Sequence, residues 1–489
     1  MRNLLSTTYA LFKLGAFFSL ALLSPGVVSI LAGDGLLGLH LRCGLTSFCL
    51  CSLAALLTRP YQKELSPKDG FTLVFWVWVG FSALAAVPLF FGIEDFSPLD
   101  AFFEAVSGLT TTGISMAAQP DALPPSINFL RHLLNWLGGM GIILLAVAIL
   151  PMLGVGGMQL FKAETSGIDK SKKLTPRITS TAKSLWSIYV AFTLWTLLAL
   201  RLAGMTWLDA VCHALASVSL GGFSTHASSV AFFDSPLIEL ILMCAMLSGF
   251  ISFPTHYHAL TGRSFKPYWQ NLEVRVSSAL LFGSILFVSL ALWLNGTYGY
   301  GEHAWADSFR HTAFNYISAS LACGFSGYDF GTWPFLGSIW MFILANMISN
   351  AGSAGGGVKM IRAIVLFKFM TRELTLLMHP NAVARVKING QIIPERTALT
   401  VSTFVFVYCS FVVLLTFLLV LSGLDPVTSF GFTVSTITNM GLGLGQFTPS
   451  GDMTTITALQ KCLGIFSMLL GRLEIFPVLM ILTPGYWRN

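Results

Sequence analysis

Ser107-Gly108-Leu109-Thr110-Thr111-Thr112-Gly113 ends a short apolar segment that begins at Pro98 and contains Phe102, Phe103, Ala105 and Val106. About 12 helical residues rise only ~18 Å, and a bilayer core takes about 20 residues to cross. The segment therefore reads as a half-helix over 98–109 that enters the membrane, stops, and returns as extended chain. Non-helical backbone at that depth is tolerated only where it is buried in protein or lines a water-filled path. A glycine after a run of threonines suits an ion path. Gly113 can take a backbone conformation closed to other residues, and neighbouring carbonyls can then replace an ion's hydration shell.

The stretch recurs. Ser318-Ala319-Ser320-Leu321-Ala322-Cys323-Gly324 and Ser435-Thr436-Ile437-Thr438-Asn439-Met440-Gly441 keep serine and glycine at the same separation. Ala216-Ser217-Val218-Ser219-Leu220-Gly221-Gly222 is a fourth copy, with Ala216 in place of the serine. Four copies at a near-constant period of roughly 110 residues mark an internal repeat.

The solvent for this chain is lipid. Of its 489 residues 54% are hydrophobic and only 10% charged, with 40 Phe and 12 Trp, against about 25% charge in soluble proteins. The net charge of +6 is no nucleic-acid signal, because the basic residues sit in short loops between apolar runs. The eight cysteines lie mostly within apolar segments, without metal-ligand spacing. His256-Tyr257-His258 places two histidines at i, i+2, which do not share a helix face, so no zinc site is expected there.

The fold class expected is an all-α polytopic membrane protein with ten transmembrane helices. Two helices, 8–32 and 36–57, stand outside the repeat, the first read as a retained helix rather than a signal peptide. Four units of helix, half-helix with loop, and helix follow. Their parts are 72–93, 98–109 and 128–161; 185–204, 206–219 and 236–260; 275–295, 305–322 and 334–372; 399–422, 426–438 and 454–484. The corresponding divisions are 1–60, 61–182, 183–262, 263–390 and 391–489. Most of the 28 lysines and arginines fall in loops 59–68, 162–183, 263–275 and 362–396, which should face the cytoplasm. Asp95, Asp100, Glu104, Asp121, Asp209, Glu302, Asp307, Asp425 and Asp452 then lie on the other side. A rim of carboxylates there would concentrate cations, although each acid also suits an ordinary solvated loop.

A half-helix entering from outside points its partly negative C-terminus at the membrane centre. Four such ends on one axis would favour a cation, and the returning loops would offer carbonyls. The candidate filter is Thr111, Thr112 and Gly113; Leu220, Gly221 and Gly222; Ala322, Cys323 and Gly324; and Asn439, Met440 and Gly441. Close helix packing by small residues explains a single loop but not four.

The second helix of unit three is interrupted by Ser349-Asn350 and then Ala351, Gly352, Ser353, Ala354, Gly355, Gly356 and Gly357. Such a run cannot hold a helix, and in a membrane the break must line a cavity. It is expected to lie across the path just inside the filter, as a gate with Lys359 and Arg472; the alternative is a loose cytoplasmic turn. Helix should resume at Val358. Lys461 and Arg472 lie in the last helix on one face. Intramembrane cations are costly and usually functional: Arg472 either meters cations, pairs with 351–357, or bonds another helix, and Lys461 either faces inward or snorkels. Glu474 has no obvious local partner.

With these motifs, Phe253-Pro254-Thr255-His256-Tyr257-His258-Ala259-Leu260, Asn350 through Lys359, and Gly471-Arg472-Leu473-Glu474 through Thr483-Pro484, the chain resembles the Trk/Ktr/HKT superfamily of potassium transporters over essentially its whole length. The resemblance implies potassium selectivity set by Gly113, Gly222, Gly324 and Gly441. It also implies a gate at the glycine-rich break, a homodimer with one pore per chain, and a bacterial inner-membrane location. A cytosolic nucleotide-binding ring protein resembling TrkA would dock on the basic loops. Gly352 to Gly357 makes no Walker pattern, so nucleotide control has to come from that partner; potassium is the ion carried. The competing readings are an alternating-access symporter coupling potassium to sodium or protons, and a less selective monovalent-cation path. A symporter would want midplane carboxylates and inverted repeats, whereas few such acids exist and these repeats run parallel. No catalytic constellation sits in the helices, and an enzyme is not expected.

Overall fold

A computed structural model describes residues 2–62, 67–148, 178–388 and 390–487. Among these the chain is helical except for loops and one small hairpin, in which Lys387–Ile388 pairs antiparallel with Gln391–Ile392. Six helices are long and apolar enough to cross a membrane alone, and two bent pairs pass the same test only when taken together. Pro125–Ala148 and the interrupted pair Phe335–Met347 and Met360–Met378 stand where the other two crossings were expected. The outer surface is greasy: Leu57, Leu198, Leu202, Phe287, Phe406 and Phe417 are all exposed. Serines and threonines are buried inside instead, Ser107, Thr112, Ser219, Ser318 and Ser435 among them. That inside-out distribution is the one lipid imposes.

The four short helices are Pro98–Leu109, Trp207–Ser219, Ala304–Ser320 and Pro426–Thr438. Three of the four starts are written in the sequence. Ser97 forms a capping box with Asp100 ahead of Pro98, Thr206 accepts the Asp209 amide, and Asp425 accepts the amides of Val427 and Thr428 ahead of helix Pro426–Thr438. Each device satisfies N–H groups that a first turn leaves free.

The second helices depart from expectation. The helix expected over 236–260 is two, Pro236–Phe250 and Phe253–Gly262, bent by 96°. The one expected over 454–484 is Ala458–Arg472 and Phe476–Leu482, bent by 117°. Both breaks precede a proline, Pro254 or Pro477, which cannot donate to the turn before it and restricts its predecessor. Glu474 and Ile475 carry φ of 56° and 54° at the second break. In unit three helix resumes at Met360 rather than Val358. The expected end of the first unit's second helix, near 161, and most of loop 162–183 lie outside the described residues.

Candidate ion pathway

The four short helices end in one shared backbone figure. The amides of Thr112, Gly221, Cys323 and Met440 each donate to the carbonyl five residues back, on Ser107, Ala216, Ser318 and Ser435, every time at 2.8 Å. The residue before each amide turns left-handed: Thr111, Leu220, Ala322 and Asn439 have φ of 55°, 55°, 58° and 55°. A side-chain-bearing residue seldom sits there, yet all four do. Two residues on, Gly113, Gly222, Gly324 and Gly441 are left-handed again, at 81°, 71°, 99° and 89°.

These loops close into a ring. A Cβ on Gly113 would stand 2.4 Å from the carbonyl oxygen of Gly221. On Gly222 it would stand 2.1 Å from that of Cys323, on Gly324 2.5 Å from that of Met440, and on Gly441 2.2 Å from that of Thr112. The order is first loop to second, second to third, third to fourth, and fourth back to first. The four glycines are thus required twice, by φ and by the neighbouring carbonyl. The residues beside them differ freely because Leu220, Ala322, Cys323 and Met440 are buried in a common apolar core. Asn439 ties the fourth loop to the first, donating to Thr112 Oγ1 at 2.9 Å and to Met468 O at 3.1 Å. All four glycines line one cavity of about 190 Å³, together with Arg131, His226 and Asp452.

The interruption of unit three lies against the inner ends of the loops. A Cβ on Gly356 would meet Thr438 O at 2.2 Å, and one on Gly355 would meet Ser349 Oγ at 2.5 Å and Leu321 O at 3.1 Å. The Ala354 amide donates to Gly249 O at 3.3 Å, and Gly352 O accepts from the Phe253 amide at 3.4 Å. Ser353 Oγ donates to Asn350 O, and Gly357, at φ 87°, abuts Asn346 O. The Ala351 amide donates to Glu273 Oε1 at 2.7 Å. Arg472, wholly buried at the end of its helix, donates to Ala354 O at 2.9 Å and to Gly138 O at 3.1 Å. Through these contacts the segment touches units two and four directly, and unit one by way of Arg472. It is no loose turn. Of the roles open to Arg472, two are present together: the bond to 351–357 and a bond to another helix, Pro125–Ala148, through Gly138 O.

Lys359, where helix resumes, is held at φ 71° and ψ 140°, a region nearly confined to glycine. Its Nζ donates to Glu474 Oε1 at 2.8 Å, and Arg362 donates to Glu474 Oε2 at 2.6 Å. Glu474 therefore does have partners, more than 100 residues away in sequence, and they join the interruption to the break in the last helix. Lys461 does not snorkel; it pairs with Asp100.

A family model described as TrkH, cation transport protein, matches residues 41–485. The chain belongs to the TrkH family. It is similar to the Trk system potassium uptake protein TrkH of Halomonas elongata, 40% identical over 96% of this chain and 97% of that one. The protein of the same name from Escherichia coli K12 is 38% identical, with the same coverage. The crystal structure of the potassium transporter TrkH from Vibrio parahaemolyticus superposes with a TM-score of 0.87 at 34% identity, covering 99% of this chain and 100% of that one. The protein is a multi-pass membrane protein built on the four-repeat TrkH fold.

Within this TrkH-family architecture, sequence reasoning missed the braces behind the loops. Glu104, His213 and Asn315 occupy equivalent places on the first three short helices, and each holds the chain that climbs away from the ring. Glu104 accepts the Met116 amide at 2.7 Å and the Ser115 hydroxyl at 3.0 Å. His213 Nε2 meets Ser224 Oγ at 3.0 Å. Asn315 accepts the Gly327 amide at 3.1 Å. The signal lay in polar residues recurring within apolar half-helices. It also corrects the expected acidic rim: Glu104 is wholly buried in an ion pair with Arg131 Nε at 2.7 Å. Asp100 is taken by Lys461 and Asp209 by the hydroxyls of Thr206 and Thr225, each at 2.6 Å. Asp452 keeps its place on the mouth, and hydrogen bonds from the Thr454 hydroxyl and amide hold its carboxyl below the usual carboxylate range.

Proposed function

We propose that this TrkH-family chain is the potassium-conducting subunit of a Trk-type uptake system in a bacterial inner membrane. The observation that carries the reading is the cyclic approach of each loop glycine to the carbonyl of the next loop. A closed ring of four carbonyl-bearing loops can replace the hydration shell of a bare monovalent cation. The short helices add partial negative charge below it. The ion is the cargo, handled by backbone oxygens of residues 111–113, 220–222, 322–324 and 439–441, within repeats 61–182, 183–262, 263–390 and 391–489.

Segment 351–357 closes the inner side of this path. With Arg472 bonded to Ala354 O, a fixed positive charge stands beneath the ring and opposes a descending cation. Opening requires the segment to withdraw, which the link from Lys359 and Arg362 to Glu474 resists. The relatives named as Trk system potassium uptake proteins support potassium as the ion. Two copies of the chain, each with its own path, would be joined on the cytoplasmic side by a nucleotide-binding ring protein of the TrkA kind, seated on the basic loops.

The test is growth. A bacterium stripped of its potassium uptake systems, given this chain with its regulatory partner, should grow at micromolar potassium. Growth no better than the empty vector, with the protein in the membrane, would refute the assignment.

A further inference from the structure

The second helix of the first repeat, Pro125–Ala148, carries Asn128, Arg131, His132 and Asn135 at helical spacing, all buried. Three of them meet the second loop. Arg131 Nη1 reaches Ser224 O at 3.4 Å, and its guanidinium lies 4.4 Å over the Phe223 ring. The His132 ring stands 6.3 Å from that of Phe223. Asn135 meets Gly221 itself. A Cβ on Gly221 would stand 2.4 Å from Asn135 Cγ, 2.5 Å from Nδ2 and 2.6 Å from Cβ. The nearest atoms all belong to Asn135, so its side chain fills the volume that a side chain at 221 would take.

The second loop needs such support more than the others. Where the other loops have Thr112, Cys323 and Met440 before the ring glycine, this one has Gly221, and the peptide between two glycines is the freest in the ring. Thr112 secures its own loop through Oγ1, which meets Thr110 Oγ1 at 2.7 Å and Asn439 Nδ2 at 2.9 Å. Gly221 has no side chain to do this, and its carbonyl is the one that faces Gly113. Neither Oδ1 nor Nδ2 of Asn135 has a hydrogen-bond partner among the described residues. A carboxamide with two donors and an acceptor is costly at that depth, and no bond elsewhere among the described residues accounts for it. We propose that Asn135 is a specificity-determining positioning residue: its carboxamide replaces the side chain missing at Gly221 and keeps the Gly221 carbonyl turned toward the ring. The proposal rests on the reading of the ring as the potassium filter.

The test is a swap of volume between helix and loop, read as the rubidium-to-sodium flux ratio in proteoliposomes. A ratio does not depend on how much protein is active. Asn135→Gly empties the space and should lower the ratio about fivefold or more, because the cavity left behind lets the loop relax. Gly221→Ser alone overfills it and should lower the ratio as well. Asn135→Gly with Gly221→Ser should bring the ratio back toward wild type, because the side chain introduced into the loop then has room and supplies its own hydroxyl. Should Asn135→Gly fail to reconstitute, Asn135→Ala removes the carboxamide and most of its volume with less effect on the helix, and its ratio should fall likewise. A wild-type ratio in the Asn135 variants, or a double variant no better than Gly221→Ser, overturns the proposal while wild type and Gly113→Ser still report on the filter. A wild type that passes sodium as readily as rubidium overturns the filter reading and this one with it.

Discussion

Replacing Arg472 with alanine should open the path. Arg472 makes two charge-assisted hydrogen bonds, to Ala354 O on the interrupting segment and to Gly138 O on the first repeat. Bonds to charged groups contribute about 1.5–3 kcal/mol net; opening breaks the Ala354 bond, and at the upper end the closed arrangement loses ~3 kcal/mol with it. At about 1.4 kcal/mol per factor of ten, the open-to-closed ratio rises roughly 100-fold. A path open about 0.1% of the time would then be open about 10% of it. Loss of the positive charge beneath the ring acts in the same direction. The assay is rubidium flux into proteoliposomes holding the chain alone, with Arg472→Lys beside it. Lysine keeps the charge but cannot fork between two carbonyls, so its flux should fall between wild type and alanine. Wild-type flux from a well-folded Arg472→Ala protein would refute the reasoning, since the bonds would then contribute nothing to closure.

Glu474→Gln should also raise basal flux, because it leaves Lys359 and Arg362 without their shared carboxylate; the same flux assay reads it. Glu104→Gln strands the buried Arg131 charge and should cost about 3–5 kcal/mol of stability, seen as a lower Tm in detergent. Adding Arg131→Met should recover part of it. Asp452→Asn should slow potassium entry at low ionic strength and have little effect at high salt, where the mouth's field is screened. The hydrogen bonds from Thr454 hold the folded Asp452 pKa down, so its negative charge is present above the ordinary aspartate range and lost only as pH falls below it. The wild-type advantage over Asp452→Asn should therefore persist under acid conditions that half-protonate an unperturbed aspartate near pH ~3.9.

The parts of the fold that local chemistry writes were legible in the sequence. Short helices 98–109 and 426–438 have the bounds that Ser97-Pro98 and Asp425-Pro426 announce, and the four ring glycines stand where their spacing put them. The breaks in the second and last units were not legible, because apolar residues flank them closely on both sides, with Ser252 in the first and Glu474 in the second as the polar residues between. There the prolines at 254 and 477 outweighed the apolar run. The pairings Glu104–Arg131, Asp100–Lys461 and Glu474–Lys359 join residues distant in sequence, so no periodicity reports them. An acid in an extracytoplasmic segment looks the same in sequence whether it faces water or a buried guanidinium. The same holds for Asn135 and Gly221, which meet only because the second helix of one repeat packs against the loop of the next.

The central claim is that four loops make one potassium-selective ring. It is tested most directly by the fluxes of potassium, rubidium, sodium and lithium through the purified chain in proteoliposomes, with Gly113→Ser measured alongside. A Cβ at Gly113 would press on the Gly221 carbonyl from 2.4 Å, so the account predicts potassium and rubidium flux in wild type and loosened selectivity in the variant. Flux indifferent both to the ion and to the substitution would contradict it, and the four loops would then be packing devices.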